Sequence, residues 1–100
     1  MIRDEILRAV LTAVERANAL RPPDAQIPLR EDAALFGQGG LLDSLGLVSF
    51  VLDVEDLVNE ATGRAVVLSD DRAMSQSRSP FRSVGAFVDY VAQRLTEPGV

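Results

Sequence analysis

Residues 44 to 62 contain no proline, and their apolar residues return at helical spacing: Leu47, Phe50, Val51, Val54, Leu57, Val58 and Ala61. A polar row of Ser49, Asp53, Asp56 and Glu60 recurs at steps of three and four on another side. Asp43 or Ser44 supplies an N-cap, and Gly63 suits the left-handed exit from a helix. A helix this long, apolar on one side and acidic on another, has to be covered along its apolar side. What the rest of the chain offers for that is also helical.

From Arg3 to Leu20, Ile6, Leu7, Val10, Leu11, Val14 and Ala17 form one face, and Arg3, Asp4, Glu5, Arg8, Glu15 and Arg16 take the other sides. Pro22 and Pro23 end that helix by removing backbone donors and restricting the residue before each ring. A long connection then runs to Asp43, with Ile27, Leu29, Leu35 and Phe36 as apolar anchors that should hold it across helix ends. Gly37, Gly39 and Gly40 permit a sharp redirection before the second long helix. The run from Arg64 to Leu68 has no second strand-like run to pair with, so it reads as an extended connector. Ser69, Asp70 and Asp71 open a short helix to about Ser75, broken by Gln76 to Pro80. A last helix, about Ser83 to Leu95, carries Val84, Phe87, Val88, Val91, Ala92 and Leu95 on one face, and a frayed end at Glu97-Pro98-Gly99 follows. The expected fold is all-α: one domain over residues 1–100, a small bundle of three longer helices and one short one, with a long loop between the first two.

Composition removes most catalytic chemistry. The 100 residues include no His, no Cys and no Lys, which takes away the usual general base, thiolate chemistry and the common activators of a serine nucleophile. The expectation is a protein that catalyses nothing by itself and holds no metal. A calcium site at Asp53, Glu55, Asp56 and Glu60 lacks the spaced ligands and central glycine of a calcium loop. The glycine-rich stretch before Leu41 lacks the Gly-Lys-Ser/Thr ending of a phosphate-binding loop. A net charge of −5 argues against nucleic acid. No signal-peptide pattern opens the chain, and no apolar run approaches the roughly 20 residues of a membrane span, so a cytoplasmic protein with no membrane partner is expected. The middle of the chain, Glu31 to Gly63, holds seven acids and no Arg or Lys. That is either an ordinary solvated helix face or a surface that steers a basic partner.

The segment Gly40-Leu41-Leu42-Asp43-Ser44-Leu45-Gly46 resembles the acyl carrier protein family, in which an Asp-Ser-Leu triplet opens the second helix. The likeness extends more weakly from Leu35-Phe36 through the second helix to Phe81–Leu95. It implies an acyl-carrier-like bundle in which Ser44 receives 4'-phosphopantetheine, covalently, from coenzyme A. It further implies that the chain, as a monomer and phosphoprotein, carries acyl or aminoacyl thioesters on that arm between partner enzymes. Those partners would be a phosphopantetheinyl transferase, an acyl- or aminoacyl-loading ligase, and downstream transferases or synthases. Asp43, Leu45, Val48, Leu52, Glu55 and Asp56 then correspond to the docking side of the second helix. A serine at a helix start also meets unpaired backbone donors and the positive end of the dipole, which suits an attached phosphodiester. The alternatives are that Ser44 or Asp43 is simply a cap, that Val48 and Leu52 are core, and that the chain is a carrier-like interaction module that is never modified. Gly46, Ser49 and Leu57 stand where fatty-acid carriers often have acids, and Gly46 is closer to carriers dedicated to one activated carboxylic or amino acid, such as D-alanyl carrier proteins.

Overall fold

A computed structural model describes residues 2–37, 39–63, 66–68 and 80–96, with Ser44 and Thr96 described by their backbone. The short helix expected from Ser69 to Ser75, and the chain end from Glu97 to Gly99, lie outside the described residues. Helix α1 spans Arg3–Asn18. Its first turn is held by the Glu5 carboxylate, which accepts a hydrogen bond from the Ile2 amide at 3.0 Å, and Asp4 and Glu5 sit at the end of the dipole that favours acids. Ile6, Val10, Ala13 and Val14 are buried. After Asn18 the backbone tightens into turns, with Leu20 N–H bonded to Ala17 O at 3.2 Å, and a single 3-10 turn follows at Pro23–Ala25. The helix therefore stops two residues earlier than the periodicity predicts.

The long connection is tied down at three places, which is how it crosses helix ends without leaving its backbone unsatisfied. The Asn18 side chain donates to Ile27 O at 3.0 Å and accepts from Ile27 N–H at 2.8 Å, so a side-chain amide takes the place of a backbone partner and buries Ile27. Residues 33–36 run antiparallel beside 81–84: Phe36 N–H donates to Phe81 O and Val84 N–H to Ala33 O, both at 3.0 Å, around an isolated bridge between Ala34 and Ser83. Leu42 N–H returns to Leu35 O at 3.0 Å. Gly40 makes that return possible, since a Cβ there would lie 2.6 Å from the Phe36 backbone. Ile27 and Leu35 are anchors as expected, and Phe36 is half-buried, but Leu29 is exposed. Pro28 and Arg30 flank Leu29 in an irregular stretch, where no periodicity tells which side chain turns inward.

Helix α2 spans Ser44–Thr62 and ends at Gly63, whose φ of 70° is the left-handed value that glycine adopts without strain. Helix α3 spans Val84–Thr96 and is capped by the Ser83 hydroxyl, which accepts from Ala86 N–H at 3.1 Å. Helix α1 packs against both α2 and α3. One cluster of buried side chains joins all three helices, with Phe87 at its middle: its ring centroid is 5.4 Å from Phe50, 5.7 Å from Phe81 and 6.2 Å from Tyr90. On α2, Leu47, Phe50, Val51, Val54 and Val58 are buried and Leu57 is half-buried, whereas Ala61, expected on the core face, is exposed in the last turn of the helix.

The fold is an all-α bundle, and among the described residues there is no strand beyond the one bridge. No described helix is long and apolar enough to cross a membrane. Arg3 joins α1 to the connection and to α3 through Glu31 at 2.6 Å and Asp89 at 3.0 Å. Hydrogen bonds to Glu31 first and Asp89 second raise its pKa. All three side chains are largely exposed, so these pairs orient the elements more than they stabilise them.

Candidate functional site at the start of helix α2

The cap of α2 is Asp43. Its carboxylate accepts from Gly46 N–H at 2.7 Å, and its carbonyl accepts from Leu47 N–H at 2.8 Å. Ser44 is the first residue of the helix proper, at the position whose amide precedes the intrahelical ladder. Of the two cap candidates in the sequence, Asp43 takes the role.

Beyond Ser44, one side of α2 is apolar and uncovered. Leu45 is 81% exposed, Val48 54% and Leu52 48%, and Leu41 just before the helix is also exposed. Val48 and Leu52 are therefore surface and not core. Asp43 and Asp56 are exposed beside this strip. Glu55 is different: it is half-buried, and its carboxylate accepts from Leu68 N–H at 3.0 Å. Asn59, one turn on, accepts from Val66 N–H at 2.7 Å and donates to Val66 O at 3.4 Å. Arg94 from α3 donates to Val67 O at 3.1 Å. Glu55 thus helps hold the extended segment 66–68, a role its place in an acidic row did not reveal.

The fold also brings together residues that the sequence left apart. The last turn of α1 and the first turns of α2 enclose a groove of about 290 Å³. Arg16, Ala17, Leu20 and Arg21 line one side; Leu42, Leu45, Gly46, Ser49, Phe50 and Asp53 line the other. Leu42 and Phe50 are buried and form its floor, while Leu20 is 91% exposed and stands at its lip with Leu45. Arg21 donates through Nε to Ala25 O at 2.6 Å, and Arg16 makes no ion pair among the described residues. Two arginines therefore line the groove beside the start of α2, although Glu31 to Gly63 contains no cation. Nothing in the periodicity of α1 says which end of α2 lies beside it when the connection is this long, so this pairing was not legible.

Among the described residues no group of three or more Asp or Glu is arranged to hold a metal ion. Comparison with protein-family models, with curated proteins and with solved structures finds no match to this chain.

Proposed function

We propose that the chain is a carrier protein that holds acyl or aminoacyl groups on a phosphopantetheine arm at Ser44 and presents them to partner enzymes. The observation that carries this reading is that Asp43 fills the capping role and Ser44, the next residue, opens the helix at the head of an exposed apolar strip. The local Asp43-Ser44-Leu45 sequence and its likeness to acyl carrier proteins supply the chemistry.

The residues present fit such an arm in two respects and oppose it in one. First-turn amides and the dipole favour an anion at Ser44, and Arg16 and Arg21 stand nearby in the groove. The Asp43 carboxylate repels a phosphodiester, but both would be solvated and screened at this exposed position. When bound, phosphopantetheine supplies a thiol that carries cargo as a thioester. The chain itself supplies one attachment oxygen and one docking face. Acids steer a partner to that face, and Leu45, Val48 and Leu52 give it apolar surface to cover. Tethering then raises the cargo's effective concentration at the partner's active site, while bond-making belongs to the partner. In this reading the protein works as a monomer in the cytoplasm.

The test is intact mass after incubation with coenzyme A and a broad-specificity phosphopantetheinyl transferase, with Ser44→Ala in parallel. A gain of one phosphopantetheine in the parent and none in the variant is expected. No gain in a folded parent, with several transferases, would replace this reading with the unmodified interaction module, which the same exposed strip serves equally well.

A further inference from the structure

We propose that the groove face between the end of α1 and the start of α2 is where two copies of the unmodified chain pair, with Leu20 of each copy seated in the groove of the other. This goes beyond the carrier reading and does not rest on it.

Three observations lead to it. The first is a knob that nothing covers. Leu20 is 91% exposed, yet the backbone around it is pinned. Leu20 N–H donates to Ala17 O at 3.2 Å, Gln26 Nε2 donates to the carbonyls of Asn18 at 2.9 Å and Arg21 at 3.0 Å, and Arg21 Nε donates to Ala25 O at 2.6 Å. A large apolar side chain on so fixed a backbone has little freedom left to lose on binding, which suits an interface anchor. The second is a hole beside it. About 290 Å³ lies at the lower edge of small-molecule pockets, and the apolar floor of Leu42 and Phe50 suits an aliphatic side chain. Gly46 keeps that hole open, because a Cβ there would lie 3.0 Å from Asp43 Oδ1 and 3.4 Å from Leu42 Cδ2.

The third is charge. Arg16 and Arg21 stand on the α1 wall and Asp53 on the α2 wall, and among the described residues neither Arg16 nor Asp53 forms an ion pair. Because α1 ends where α2 begins and the two helices pack together, the walls run antiparallel. A two-fold axis along the groove therefore sets the α1 wall of one copy on the α2 wall of the other. Leu20 then lies over Leu45 and the floor, and Arg16 comes level with Asp53 of the other copy, twice over. A uniformly basic partner would meet Arg16 and Arg21, and a uniformly acidic one would meet Asp53, so the face fits its own copy better than either. The face is small, which puts the pair at the weak end of interface sizes. An arm on Ser44 would bring a phosphodiester to the same arginines, so the arm-bearing chain of the carrier reading is the monomer.

The experiment follows association by sedimentation equilibrium on chain shown by mass to carry no arm. It compares the parent, Leu20→Gln, Arg16→Glu, Asp53→Arg and an equimolar mixture of the last two, each checked for fold by circular dichroism. A dimer with a Kd of about 100 µM is expected for the parent. Leu20 is nearly uncovered, so Leu20→Gln keeps the fold, and it should weaken pairing about a hundredfold because two anchors are lost. Arg16→Glu and Asp53→Arg each reverse one side of both cross-pairs, and each alone should weaken pairing about tenfold. In the mixture one cross-pair is native and the other has its charges exchanged, so the heterodimer should recover the parent's Kd. A parent that stays monomeric at about 1 mM, a dimer that Leu20→Gln leaves unchanged, or folded charge variants that do not recover when mixed would each overturn the inference. All three outcomes leave the carrier reading, which is tested by arm transfer to Ser44, untouched.

Discussion

The inward and outward sides of α2 are built from the same residue types in opposite surroundings. Phe50, Val54 and Val58 are buried against α1 and α3, while Leu45, Val48 and Leu52 on the same helix are uncovered. Helical periodicity treats a leucine or valine alike wherever it falls; only the neighbours decide whether burial is complete. The inward side stabilises the bundle, and the outward side is left uncovered, which is where the proposed carrier reading puts the docking face. Substitutions on the two sides should therefore separate stability from docking.

The largest effect should come from the inward side. Phe50→Ala removes a ring that lies 5.4 Å from Phe87 and forms part of the groove floor, and it should cost about 3–5 kcal/mol in urea unfolding. For a bundle of this size that approaches the whole folding free energy. A loss below about 1 kcal/mol would mean that the ring is not packed as described. Asn59→Ala comes next. It leaves Val66 N–H without its 2.7 Å partner, and about 1–3 kcal/mol should be lost, read most directly as faster hydrogen exchange at the Val66 amide.

That second prediction also marks where sequence reading runs out. The three helices were legible to within two residues because proline, glycine and period act locally: Pro22 and Pro23, Gly63, and the stripes at Ile6–Val14, Leu47–Val58 and Val84–Val91 need no knowledge of the neighbours. The roles of Asn59, Glu55 and Asn18 were not legible, since each side chain meets a backbone group several residues away that only the folded chain brings near. Leu29 and Ala61 were misassigned for a related reason. Each has the right type for the core, and periodicity or residue type alone does not show that its position in the fold leaves it exposed.

At the boundary between the two sides sits the cap. Asp43→Ala removes the acceptor for Gly46 N–H and should cost about 1 kcal/mol by thermal or urea unfolding, with Asp43→Asn retaining most of it. If Asp43→Asn is stable yet is modified more slowly by the transferase, the carboxylate has a docking role beyond its capping one.

The smallest stability effect belongs to the outward side, and there the comparison is sharpest. Val48→Gln and Leu52→Gln place good helix formers at positions about half exposed, so each should change stability by no more than about 0.5 kcal/mol. About half of each side chain's surface remains for a partner to cover, worth about 1 kcal/mol apiece when a full burial is worth about 1.5–3. In kcat/KM for arm transfer to Ser44 that corresponds to about fivefold for each substitution. The double variant should fall further while unfolding as the parent does. Unchanged transfer in a stable double variant would mean that the transferase reads only the turn around Asp43 and Ser44, and that the exposed strip serves a different encounter.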